Sequence, residues 1–97
     1  MARLEILNPV AKTVEYSVTP ARRPSDLDGL RIGLYWNMKA GGDAALDRTE
    51  QLLRGRFSKA TFRRYTGSVG FIMRHCTAED ADRIASEVHA VVGTTAD

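Results

Sequence analysis

The chain has 97 residues, 43% of them hydrophobic, which is enough for one small domain with its own core and excludes wholesale disorder. Its net charge is +2, from eleven Arg and three Lys against twelve acids, but the cations are dispersed and no basic run of five occurs, so neither nucleic acid nor membrane is expected as a partner. A single cysteine excludes an internal disulfide, no apolar run reaches spanning length, and charges interrupt any secretion-signal core, which together predict a cytoplasmic setting.

From the amino end, Leu4-Glu5-Ile6-Leu7 is a short apolar run closed by the turn signal Asn8-Pro9. Thr13 to Val18 alternates, with Val14, Tyr16 and Val18 on one side, the period of a strand with one wet face. These two segments predict a hairpin or an arm. Residues 19–29 hold Pro20, Pro24 and several charges and read as a linker or a partner-hugging segment. Residues 1–29 are therefore assigned to an N-terminal strand or arm with its linker, and 30–97 to an α/β half-domain.

Leu30 to Trp36 is a nearly continuous apolar strand, followed by a polar, Gly-bearing loop over Asn37–Gly42. Asp43 is a good N-cap for a helix of about 14 residues ending near Phe57. Leu46, Leu53 and Phe57, with Ala45 and Leu52, give that helix its apolar face. Ala60 to Tyr65 reads as the next strand. Thr66 to Cys76 is broken by Gly67 and Gly70 around apolar Phe71-Ile72-Met73, and predicts a short extra strand or a loop that docks on a partner. Thr77 with Asp80 resembles a capping box. Its helix would place Ala78, Ala81, Ile84, Ala85 and Val88 on one face, and Ala90 to Thr95 is the last strand. The order β-α-β-α-β predicts parallel strands with right-handed crossovers, half of a doubly wound, Rossmann-like α/β sheet with an N-terminal β arm. Half a sheet leaves an edge and apolar area uncovered, so a partner protein subunit, or a tight homo-oligomer, is expected.

The loop Asn37-Met38-Lys39-Ala40-Gly41-Gly42-Asp43 carries the best candidate chemistry, because ligands of parallel α/β sheets sit at strand carboxyl ends. Gly41 and Gly42 let backbone approach a ligand closely. The helix start offers N–H groups and a partial positive charge. Lys39 adds a full charge, and Asn37 can donate or accept. Asn37 and Lys39 are thus the candidate catalytic residues, Trp36, Gly41 and Gly42 candidate substrate contacts, and a small carboxylate or phosphate the candidate substrate. The glycine spacing fits neither a Walker loop nor a dinucleotide fingerprint, so no cofactor is assigned, and an ordinary turn with a solvated lysine has the same composition.

Cys76 precedes a helix start, where a thiolate is stabilised, and His75 is its neighbour. Adjacent side chains seldom face each other, so Cys76 is expected to be a small, buried, structural residue. His89 ends the second helix, where a cation suits the dipole. Two His and one Cys without ligand spacing give no metal site. Tyr35 and Trp36 share a strand end; one could line a pocket, although packing is the commoner use of such aromatics.

Three stretches, Leu4-Glu5-Ile6-Leu7-Asn8-Pro9, Arg31-Ile32-Gly33-Leu34-Tyr35-Trp36-Asn37-Met38-Lys39 and Ala90-Val91-Val92-Gly93-Thr94-Thr95-Ala96-Asp97, resemble the UGSC family of selenocysteine- or cysteine-containing proteins. Members carry Asn-x-Lys after the first core strand, matched by Asn37 and Lys39. Their namesake motif, Cys or selenocysteine followed by Gly-Ser-Cys, comes just after a strand that ends in a Gly and an Asp, matched by Gly93 and Asp97. The resemblance spans most of this chain but the amino-terminal half of a typical member, and a Lys-Pro step expected near Thr66-Gly67 is absent.

The resemblance implies thiol or selenol chemistry at a strand carboxyl end, with Thr95 and Asp97 joining Trp36, Gly41 and Gly42 as substrate-binding residues. The namesake motif would begin after Asp97. The family half could be a natural separate subunit, a truncation at a selenocysteine codon, or a branch that lost its redox centre. The unfinished sheet favours the first. The expected function is a small subunit of a hetero-oligomeric UGSC-like enzyme, inactive alone, with its nucleophile or cofactor on a partner chain. The alternatives are a non-catalytic partner-binding or regulatory module and a homo-oligomeric binder of small anions.

Overall fold

A computed structural model describes residues 3–11, 13–70 and 74–94. Five elements follow in order: β1 (Arg31–Trp36), α1 (Gly42–Arg56), β2 (Thr61–Thr66), α2 (Ala78–Glu87) and β3 (Ala90–Thr94). The strands form one sheet in the order β2-β1-β3, and β1 pairs in parallel with both neighbours. This is the expected small parallel α/β arrangement. The most continuously apolar strand lies in the centre, because a parallel strand there is covered on both faces.

The two faces of β1 sort by residue parity. Ile32 and Leu34 are buried with Leu46 and Ala60, and Trp36, Phe57, Phe62 and Val92 pack around them. This is the α1 side of the sheet. On the other side Tyr65, Ile84 and Val88 form a second cluster with Tyr35 beneath α2. The helices therefore lie on opposite faces, as in a doubly wound sheet.

Local details refine the expected elements. α1 begins at Gly42 and is capped by Gly41, with no side-chain cap bond, whereas the sequence favours Asp43 as the cap. Gly41 adopts φ 97°, a left-handed conformation that lets the chain turn into the helix one residue early. Asp43 falls in the first turn instead, where an acid still suits the helix dipole. Leu46 is fully buried and Leu53 half-buried, but Leu52 is 57% exposed and Ala45 is also exposed, so the buried stripe is narrower than its leucines suggest. The Thr77–Asp80 capping box forms as expected. α2 buries Ile84, and its C-cap buries Val88, while Ala78, Ala81 and Ala85 stay exposed, so the apolar face is only half used.

Between β2 and α2 an antiparallel bridge joins Val69 to His75, while Phe71-Ile72-Met73 lie outside the described residues. The expected strand over 13–18 is not formed among the described residues, and no strand or helix occurs over 3–11 or 13–30. The alternation of Val14, Tyr16 and Val18 sets which way side chains point, but a strand also needs an edge to bond its backbone, and the described arm is paired with none of the three strands. Leu4, Ile6, Leu7, Val10, Val14, Tyr16 and Val18 are accordingly 71–85% exposed. The end of the linker does join the body: Leu27 packs on the α1-side core, and the Asp28 carboxylate accepts the Lys59 N–H at 2.8 Å.

Candidate active site at the carboxyl ends of β1 and β3

The chain leaves β1 through α1 towards β2 on one side, while β3 flanks β1 on the other. The carboxyl ends of β1 and β3 therefore form the fork where strand order reverses, the usual ligand position in open α/β sheets. The loop Asn37–Gly41 lies at that fork, and Trp36 is in register with Thr94 across it.

Hydrogen bonds among the described residues shape the fork. The Asn37 Oδ1 accepts from the Lys39 N–H at 3.2 Å, an Asx turn that reverses the chain just past β1. The Lys39 carbonyl accepts twice, from the Trp36 indole N–H at 2.7 Å and from the Gly42 N–H at 3.3 Å. The Thr94 hydroxyl donates to the Gly42 carbonyl at 3.1 Å, which ties the end of β3 to the first residue of α1. Gly42 must be small here: a Cβ would lie 2.8 Å from the Trp36 ring and 3.0 Å from the Thr94 hydroxyl. Met38 holds φ 72°, a left-handed conformation that costs a non-glycine residue of order 1 kcal/mol.

Asn37 and Lys39, with Trp36, Gly41 and Gly42, are thus brought to one place, and the first three are half-buried. Asn37 already spends its carbonyl oxygen on the loop backbone, so it shapes the loop as well as facing the fork. Thr95 and Asp97 lie outside the described residues. Sequence reasoning missed two contributors, Met38 and Thr94. Nothing in the sequence marks a left-handed methionine, whereas the two-residue strand period could have singled out Thr94, which lies on the Trp36 side of the sheet.

The other candidates lie elsewhere. Cys76 is exposed, not buried as expected, and its thiol faces the Thr77 carbonyl at 3.7 Å. It lines the α2-side groove with Tyr35, and Tyr35 and Trp36 point to opposite faces of the sheet. Burial, and then the neighbouring thiol, push the Tyr35 hydroxyl pKa up from its ordinary value. His89 lies two residues beyond the end of α2 and bonds to β1 instead: its ring Nδ1 accepts the Arg31 backbone N–H at 3.0 Å, and its backbone N–H donates to the Arg31 carbonyl at 2.8 Å. Among the described residues no three of His, Cys, Asp and Glu are grouped to hold a metal ion.

Two carboxylates outside the fork are structural. Asp80, 4% exposed, accepts from the Ser68 N–H at 3.0 Å, the Ser68 hydroxyl at 2.8 Å and the Thr77 N–H at 3.1 Å. The backbone N–H groups of Ser68 and Thr77 hold its pKa far below the usual carboxylate range. Glu87 accepts the Tyr65 hydroxyl at 2.6 Å and the Arg63 guanidinium at 3.2 Å. The Tyr65 hydroxyl bond is the chief reason that its pKa is lowered.

Fold and fork together define a small parallel α/β protein with a glycine-bearing loop between a strand end and a helix start that has no side-chain cap. The UGSC family model matches residues 5–97, and the chain belongs to the UGSC family. No curated protein and no solved structure matches it. Among the described residues no helix is long and apolar enough to cross a membrane.

Proposed function

We infer that this chain is a subunit of a UGSC-type enzyme built from more than one chain, and that it contributes the Asn37–Gly42 loop to a shared active site. The observation that carries this reading is the construction of the fork. Trp36, Lys39, Gly42 and Thr94 are bonded so that the start of α1, which has no side-chain cap, stands at the carboxyl ends of β1 and β3. A small anionic substrate, a carboxylate or a phosphate, suits N–H groups at a helix start backed by Lys39. Asp43 in the first turn offsets part of the helix-end charge, so Lys39 supplies most of the attraction. The thiol or selenol nucleophile, or the cofactor, is assigned to the partner chain that closes the fork from above.

The test is the purified complex with the product of the adjacent reading frame, titrated with small carboxylates and inorganic phosphate and followed by Trp36 fluorescence and turnover. Lys39→Ala removes a charge-assisted contact worth ~1.5–3 kcal/mol, so apparent affinity should fall about ten- to hundred-fold. Asn37→Ala should lower turnover at saturation more than it weakens binding. If both variants keep wild-type kinetics while their melts are also unchanged, the loop is not a site. The second reading, a non-catalytic partner-binding module, is favoured by the exposed apolar side chains of the arm and would then lead.

A further inference from the structure

The sheet has two outer strands, and they are protected differently. β2 carries Arg63 and Arg64, which pair with Glu87 and with Asp47 and Glu50, and charge on an outer strand discourages a further strand from adding. β3 reads Ala90-Val91-Val92-Gly93-Thr94 and has no charge at all. Its Val92 side is covered with the α1-side core. Its other side is open. Val91 and Gly93 are in register with Gly33 and Tyr35, and Val91 is 50% exposed. Together with Ala81 and Ala85 of α2 they border a groove of about 350 Å3 that, among the described residues, is lined by no charged side chain. An uncharged open edge beside an apolar groove is a template for strand addition.

The same chain carries a matching strand without an edge. Val14, Tyr16 and Val18 alternate over a six-residue stretch, and β3 is five residues long. All three side chains are exposed, so this stretch is as unsatisfied as the groove. The linker brings it to the right place: Arg22, Pro24 and Asp26 lie beside His89, the residue that precedes β3. The linker also keeps it off its own body. Pro20 and Pro24 favour extended backbone, the molecule measures 74 × 31 × 26 Å, and the arm's Val14, Tyr16 and Val18 are 71–81% exposed. A stiff linker, an unpaired strand and an unpaired edge in one chain are the conditions for exchange between two copies.

We propose that residues 13–18 of one copy add as an outer strand to β3 of a second copy, with Val14, Tyr16 and Val18 turned into the groove beside Val91, Gly93 and Ala85. Exchange is reciprocal, so the product is a two-fold dimer in which both β3 edges are closed. This goes beyond the enzymatic reading and does not depend on it, since the fork lies at the strand ends and not along the edge.

The experiment compares the full chain with two full-length variants by sedimentation velocity under reducing conditions. One variant is Val14→Ser/Tyr16→Ser/Val18→Ser, at three exposed positions outside the buried core. The other is Val91→Lys, which puts charge on the open edge. The expected result is a wild-type dimer whose dissociation constant rises at least ~100-fold in each variant, with far-UV circular dichroism unchanged. A Tyr16→Cys chain, freed of reductant, should also form a disulfide between copies with Cys76, which lines the same groove. A wild-type monomer overturns the proposal, whether its arm is protected from protease by its own β3 or cleaved freely while awaiting a different partner. A dimer that survives both substitutions overturns it equally.

Discussion

Two glycines of α1 should respond to the same substitution with opposite signs. Gly55 lies in the last turn, nothing stands within 4 Å of the place an alanine methyl would take, and its φ is not left-handed. Gly55→Ala therefore gains helix propensity without cost, up to ~0.5–1 kcal/mol. Gly42 lies in the first turn, where a Cβ would come within 2.8 Å of the Trp36 ring and 3.0 Å of the Thr94 hydroxyl. The propensity gain is smaller at a helix end, whereas overpacking of this kind costs ~1–3 kcal/mol. The net loss for Gly42→Ala is then about 0.5–2 kcal/mol, and each kcal/mol shifts Tm by roughly 4–8 °C in a domain this small. Calorimetry of both variants reads the signs directly. Trp36, the single tryptophan, supplies a local report, because its indole N–H bond to the Lys39 carbonyl must shift with the ring. Gly55→Ala should leave the emission maximum in place and Gly42→Ala should move it. Equal shifts in Tm, or an unchanged indole spectrum in Gly42→Ala, would refute the tight packing inferred for the fork.

Further outcomes follow from the loop that precedes α2. Because the folded-state pKa of Asp80 is depressed, the unfolded chain binds more protons below the ordinary Asp value of about 3.9, so its contribution is fully present above that value and is lost as pH falls through the acid range. Stability measured by urea titration should therefore drop with falling pH in the wild type and flatten in Asp80→Asn, which starts lower at neutral pH; parallel pH profiles would contradict the assignment. Thr77→Ala removes the hydroxyl that accepts the Asp80 N–H at 3.0 Å and should cost ~0.5–2 kcal/mol by chemical denaturation. Cys76→Ser should stay within ~0.5 kcal/mol of wild type in the same assay, since the residue is exposed. It should also keep turnover of the assembled complex within a few-fold, whereas a loss of several orders of magnitude with folding intact would place the nucleophile on this chain.

The legible parts of the fold are those in which one local signal decides the outcome. Leu30 to Trp36 is apolar at nearly every position, and only a central parallel strand buries both of its faces. Thr77 and Asp80 cap each other across three residues, so α2 starts where the sequence predicts. The departures occur where a tertiary contact decides instead. Asp43 is the better capping side chain, but Gly41 and Gly42 allow α1 to start earlier, against Trp36 and Thr94, and those two lie 6 and 52 residues from Gly42 in sequence. An interior Cys76 is the natural expectation because free cysteines are commonly buried, yet it stands on the wall of a groove that α2 covers only in part.

The candidate site is legible in the sequence as a loop and not as a constellation. Asn37, Lys39, Gly41 and Gly42 are close in sequence, so their convergence costs nothing to predict. The opposite wall of the fork comes from β3, and its position depends on strand order, which propensity and periodicity leave open. With β3 beside β1, Thr94 closes the fork; with β3 beyond β2, the same residues would stand one strand further from α1 and no fork would exist. The arm poses the complementary case. Its period is that of a strand, but whether a strand forms depends on an edge that must come from outside the arm itself. The two outer strands differ in charge: β3 has none and β2 bears Arg63 and Arg64, and charge on an outer strand resists the addition of another.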